Sequence, residues 1–457
     1  MTYPSRPGQA QNVTMAGIPL IDLDTAPPPE RVRSPVGGLR QFAPRPLLAV
    51  ILAVLVLAGL AASTAPRPLL RQVLAAGGTA AAAFELGRDT LYTAHYGSNP
   101  NSESAVRRYD LLTGHEVWAV ALPQGVQNLV IDDASGVLMA RSGTDPRISF
   151  LDAATGRVLW TSNEVNTAAI TIDGAGVLFT TDQAEGPALR LADPRTGGTI
   201  WTRTIGTRVY FGPQLVPLGG AERIVLADAA GAVRVIDFAT GAELSTGNLG
   251  GPLNPARFPD VGGSLLGTVG DNRLVLRSKT GGQASMTAFS LVPFARLWER
   301  TSGPTGLAED CGEVWCVAGA VPGISALGDP SAVGVSAVDP GTGAPLWTND
   351  SLAFAFRFDG HTVLAGDDQE TPEVTLRDQR TGRLLQRLGA TVWAGDLLLH
   401  PDTEAPGWTW VQTHDQGRVR PVGVVPVAAP FGCEPRDDYL ACPTINGPTL
   451  VWRIPHR

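Results

Sequence analysis

Lysine is all but missing from this chain: of its 35 basic residues only Lys279 is a lysine, which excludes lysine-based chemistry from every other position. Charge is sparse at 17% of residues, and the net charge of −8 leaves no basic surface for nucleic acid. The six histidines, at 95, 115, 361, 400, 414 and 456, show no H-x-H or H-x-x-x-H spacing and so no local metal site of that kind. No acidic cluster has calcium-loop spacing, and neither a G-x-S-x-G nucleophile elbow nor a P-loop occurs. Helix-type apolar periods are few, whereas 53 Gly and 37 Pro punctuate a chain that is 44% hydrophobic. That combination points to an all-β, turn-rich product.

One long hydrophobic run is present, Leu47 to Ser63, uncharged and bounded by Arg45-Pro46 and Pro66-Arg67. As a helix, 47–65 spans about 28 Å, the thickness of a bilayer's hydrocarbon core. The 46 residues before the run are too many for a cleaved signal peptide, so 46–65 reads as an uncleaved transmembrane signal anchor. Arg31, Arg33, Arg40 and Arg45 precede it and only Arg67 and Arg71 follow closely, which keeps the N-terminus in the cytoplasm and places the rest outside. Residues 1–45, rich in Pro, Gly and Arg, read as a disordered cytoplasmic tail, with Ile18 to Asp24 as an acidic, apolar stretch inside it.

Beyond a linker at 66–83, the stretch Asp-x-x-Thr-Gly-x-x-x-Trp recurs. It is complete at Asp110-Thr113-Gly114-Trp118, Asp152-Thr155-Gly156-Trp160, Asp193-Thr196-Gly197-Trp201 and Asp339-Thr342-Gly343-Trp347. Two further copies, at Asp237 and Asp378, keep Asp-x-x-Thr-Gly and carry Ser245 and Gln386 in place of tryptophan. Successive copies from Asp110 lie 42, 41 and 44 residues apart, a propeller period. Strand-like runs such as 147–151 and 233–236 precede each Asp, so the motif is a tight hairpin. Asp accepts from the turn's N–H groups, Gly supplies positive φ, and Trp on the outgoing strand fills a seam between sheets.

These residues resemble the pyrroloquinoline-quinone-type repeat of quinoprotein dehydrogenases and related non-enzymatic propellers, over roughly 84–457. The resemblance implies a ring of four-stranded antiparallel blades whose innermost strands line a channel. Hairpins before Asp110, Asp152, Asp193 and Asp237, a degenerate one at Arg273–Trp298, those before Asp339 and Asp378, and one at Leu397–Val422 give eight blades, with seven as the alternative. A last hairpin, 439–452, lacks an outgoing strand and is expected to close the ring by meeting residues from about 70–90.

Cys311, Cys316, Cys433 and Cys442 fall as two pairs, each flanking the short link into a strand, which favours two hairpin disulfides and an oxidising compartment; four cysteines admit three pairings, and the sequence does not choose. The quinoproteins' adjacent-cysteine disulfide has no counterpart, so their enzymatic residues do not carry over: no catalytic, cofactor-binding or metal residue is assigned. Asp132-Asp133, Asp367-Asp368 and Asp437-Asp438 read as turn residues; Trp408 and Trp410, on one side of a strand with Trp393 nearby in sequence, read as core packing in preference to an exposed contact pair, and Phe354, Phe356 and Phe358 as core. The expectation is a single-pass membrane protein, not an enzyme, whose extracytoplasmic β-propeller is a protein-binding or scaffold module. The alternative is a small-molecule or quinone site in the channel with a sensory or oxidoreductase role.

Overall fold

Short apolar runs rich in β-branched residues, cut by Asp-Gly and Pro-Gly turns, pair with their sequence neighbours because a tight hairpin closes at little entropic cost. In a computed structural model the described residues are 69–455, apart from internal segments of which the longest are 206–213, 253–266 and 319–333. The tail 1–45 and the anchor 46–65 lie outside the described residues; among those described, no helix is long and apolar enough to cross a membrane.

Among the described residues the strands form nine four-stranded antiparallel sheets. Eight are consecutive: blade 1 runs from Ala83–Leu86 to Glu116–Leu122, and blade 8 from Val392–Ala394 to Arg418–Val425. Blade 9 takes Glu434–Arg436, Tyr439–Pro443 and Thr449–Arg453 from the C-terminal end, and its outer strand is Arg71–Ala76 from the other end of the ring. The eight-blade count is therefore corrected to nine. The last hairpin does meet residues 70–90 as expected, but it also has an inner strand of its own, and the segment read as linker supplies the fourth. A blade assembled from two chain ends is never contiguous in sequence, so counting hairpins along the chain undercounts it.

Nine apolar clusters, each shared by two successive sheets, hold the ring. Phe150 and Phe179 join blades 2 and 3, Leu364 and Leu398 join blades 7 and 8, and Val451 packs with Leu91 to close blade 9 onto blade 1. First strands of successive sheets lie against one another, so they form the inner ring, and the fourth strands form the circumference.

All six Asp-x-x-Thr-Gly turns have one geometry. At Asp110 the carboxylate Oδ1 accepts from Thr113 N (2.7 Å) and Thr113 Oγ1 (2.9 Å), and Gly114 N donates to Asp110 O (2.8 Å). The following tryptophan reaches the turn of the next blade. Trp118, Trp160, Trp201, Trp298 and Trp347 donate their indole N–H to the carbonyls of Ala153, Pro194, Phe238, Pro340 and Gln379 at 2.8–3.1 Å. Each indole also covers the next turn's glycine: at Gly343, φ is +69° and a Cβ would lie 2.5 Å from the Trp298 ring. The glycine is thus needed twice, for its backbone angle and for the room it leaves.

A β-bulge recurs beside this contact in every blade. Arg108 pairs with Trp118 and Tyr109 with Glu116, leaving Val117 as the extra residue. The extra residues in blades 2–9 are Leu159, Ile200, Leu244, Leu297, Leu346, Leu385, Val422 and Val73. The bulge twists the outer strand and re-aims its side chains. In blades 1, 3, 5 and 6 tryptophan swings into the seam and the aliphatic residue before it is exposed, whereas Leu159, Leu385, Val422 and Val73 pack against the apolar clusters.

The disulfides are Cys311–Cys316 and Cys433–Cys442, each tying the first and second strands of a blade, in blades 6 and 9. Trp298→Ala removes a buried indole from the seam between blades 5 and 6 and is expected to cost about 3 kcal/mol in urea denaturation. Replacing Cys433 and Cys442 by serine frees the inner hairpin of the closing blade, with an expected loss of about 2–3 kcal/mol. An unchanged urea midpoint in either variant would contradict this account of ring closure.

Candidate functional site

The sixteen residues of the four complete motifs do not converge. They are distributed over blades 1, 2, 3 and 6, and their polar atoms are spent on the turns and seams just described. Hydrogen bonds to the carboxylate hold Asp110, Asp339 and Asp378 below the usual range, led by Thr113 N–H for the first and by the Thr342 and Thr381 hydroxyls for the others. At Asp152 the leading cause is Arg195 of the next blade, whose guanidinium also donates to Ser135 O (2.8 Å).

Polar chemistry gathers where the closing blade meets blades 1 and 2. Arg436, on the inner strand Glu434–Arg436, donates to Leu86 O of blade 1 (2.7 Å) and to Asp133 of blade 2, and lies 3.7 Å from Glu85 Oε1. One guanidinium therefore joins three sheets. Glu85 lies on the inner strand Ala83–Leu86. Burial, followed by the charge of Glu434, pushes its carboxyl up to about 7 against the opposing pull of Arg436 and the Ile131 N–H. Burial also raises Glu434, and raises Glu309 on the inner strand of blade 6. Near neutral pH Glu85 therefore retains a share of its proton in the folded protein that an unfolded chain has already released.

Beside this cluster a cleft of about 700 Å³ is lined by Arg88, Val130, Ile131, Asp132, Asp133, Arg436 and Asp437, among others. Asp132 is committed to its turn, accepting from Ala134 N and Ser135 Oγ. Asp133 and Asp437, both exposed, and Arg88 add charges of both signs to the cleft's lining. No nucleophile is paired with a base in this lining, and among the described residues no three His, Cys, Asp or Glu lie together as metal ligands. The arrangement is suited to binding charged groups.

The turn assignments of Asp132-Asp133 and Asp437-Asp438 agree with the structure, whereas Asp367-Asp368 lies outside the described residues. Phe354 is buried, but Phe356, Phe358, Trp408 and Trp410 are half-buried, Trp410 donating to Asp402 Oδ2 (3.0 Å). Trp393 is exposed on the inner strand Val392–Ala394, its ring 5.1 Å from that of Phe356. Sequence reasoning missed Glu85, Glu434 and Arg436, which carry no motif and meet only because the ring closes. It also passed over the bulge residues, although an aliphatic side chain immediately before each Trp, Ser245 and Gln386 is readable in the sequence.

A Glu with a raised folded-state pKa contributes stability at low pH and loses it as pH rises through that value. Glu85→Gln should therefore leave stability unchanged near pH 4 and raise it by up to about 3 kcal/mol at pH 8, from a shift of 4.5 to about 7. Denaturant melts at the two pH values check this; an equal effect at both would show that ionised Glu85 is not strained.

The family model described as outer membrane protein assembly factor BamB matches residues 102–325. Among solved structures, BamB from Moraxella catarrhalis is 17% identical, with 82% of this chain and 94% of that one covered and a TM-score of 0.43. The computationally designed Ika8 protein is 14% identical, covering 84% and 100% of the two chains, and Saccharomyces cerevisiae Sqt1 is 11% identical, covering 78% and 100%, each with a TM-score of 0.43. No curated protein matches the sequence. The repeated motif, the four-stranded sheets and the family match agree in kind: the chain carries pyrroloquinoline-quinone-like β-propeller repeats, matched by the family model over 102–325.

Proposed function

We propose that this protein is a membrane-anchored, extracytoplasmic β-propeller that works as a protein-binding scaffold and not as an enzyme. The observation that carries the binding role is the aliphatic belt at the bulge position. Val117, Ile200, Leu244, Leu297 and Leu346 are 40–48% exposed on the outer strands of five blades, each beside a free strand edge. Apolar side chains repeated along unpaired edges favour a partner that pairs with an edge and covers the belt. The two disulfides favour an oxidising compartment, and the uncharged run at 47–63 with arginines before it supports a single-pass anchor with the N-terminus inside. The matched family model bears the name of an assembly factor, which is consistent with a scaffold.

A second reading, a small-molecule site without a protein partner, is favoured by the cleft beside Arg436 and its titrating carboxyl pair. The two readings separate in one experiment. The protein is crosslinked in its native membrane and compared with a variant carrying Ile200→Glu, Leu244→Glu and Leu297→Glu, substitutions at exposed positions that leave the melting temperature unchanged. Loss of a stoichiometric partner from the variant is the expected result. Retention of that partner would refute the belt, and capture of none by either protein would favour a ligand in the cleft.

A further inference from the structure

The chain enters the ring at the seam between blades 8 and 9. Leu69 forms a parallel bridge with Val424 on the outer strand of blade 8, and Leu70 N donates to Val424 O (3.2 Å). Leu70 is buried in that seam with Val425, Val427 and Cys433, and Arg71–Ala76 continues as the outer strand of blade 9. Between Ala65, the last residue of the proposed anchor, and Leu69 stand only Pro66, Arg67 and Pro68. With 46–65 as the anchor proposed above, the chain passes from the membrane surface into this seam within four residues.

The same seam has the chemistry for such a surface. Phe431, in the turn leading to Cys433, is 72% exposed and Leu69 is 66% exposed, although Leu70 and Cys433 beside them are buried in one cluster. Arg71 on the outer strand of blade 9 is exposed two residues from Leu69, and Arg420 is exposed four residues before Val424 on the outer strand of blade 8. Exposed apolar side chains flanked by arginines match the boundary between anionic headgroups and acyl chains, the rings and methyls entering the apolar side and the guanidiniums meeting phosphates. We propose that the ring is seated on the bilayer through the blade 8–9 seam, with Phe431 and Leu69 inserted at the level of the lipid headgroups and Arg71 and Arg420 on their phosphates. This seat rests on the anchor reading. It orients the ring, leaving the belt of blades 3–6 on the side away from the membrane.

The test uses the full-length chain reconstituted in vesicles of phosphatidylethanolamine and phosphatidylglycerol. Phe431, Leu69 or Leu244 is replaced, one at a time, by the photocrosslinking residue p-benzoylphenylalanine, and lipid adducts are read by mass spectrometry after illumination. Leu244 is the control: it is 41% exposed but lies on blade 4, across the ring. Adducts several-fold more abundant at 431 and 69 than at 244 are expected, in protein that resists carbonate extraction. If the protein resists carbonate and 431 and 69 crosslink lipid no more than 244 does, the seat is overturned while the anchor stands. If carbonate releases the protein, the anchor reading fails and the seat falls with it.

Discussion

The contact between an indole and the glycine of the next blade's turn is the constraint on which the ring depends. A four-stranded sheet cannot bury both of its faces by itself, so each blade is stable only against its neighbours. The tryptophan on one fourth strand covers the adjacent turn and caps its carbonyl, while the bulge beside it supplies the twist that brings the ring there. Where tryptophan is lost, smaller polar contacts take over. Ser245 Oγ accepts from Phe294 N at the seam of blades 4 and 5, with the Phe294 ring over Gly247, and Gln386 accepts from Val419 N between blades 7 and 8. The bulge persists at both seams, so the backbone geometry outlasts the side chain that accompanies it.

Closure concentrates polar interactions in one sector. Blade 9 is short on its inner side, three residues at Glu434–Arg436, and it is held by a disulfide, by Arg436 reaching two neighbouring blades, and by an outer strand from the opposite chain end. Placing Glu85 and Glu434 close together on inner strands costs stability at neutral pH, which a purely structural seam would avoid with apolar residues. That strain sits beside the cleft. It gives this sector a different character from the repetitive, apolar seams elsewhere in the ring.

The all-β class, the four-stranded antiparallel blades and the turns at Asp110 through Asp378 were legible in the sequence because each is local: a handful of residues at fixed spacing dictates a turn or a hairpin. The disulfide pairing was decided only by the structure, and so was the blade number. Blade 5 replaces the motif with a turn at Val292-Pro293, blade 8 keeps only Asp415 and Gly417 of it, and blade 9 is split across the chain. The exposure of Trp393 was equally hidden, since alternation along a strand does not say which strand faces the axis.

By itself, then, the sequence determined the repeating unit, its turn chemistry, the residue that fills each seam and the uncharged run ahead of the ring, because these follow from backbone angles and side-chain size within about ten residues. Only the tertiary structure decided that nine units close, that Arg71–Ala76 completes the ninth, and that Glu85, Asp133, Glu434 and Arg436 share one site. Those residues are brought together by the accumulated rotation of successive sheets, and a sum of small angles around a ring is not written at any one place along the chain.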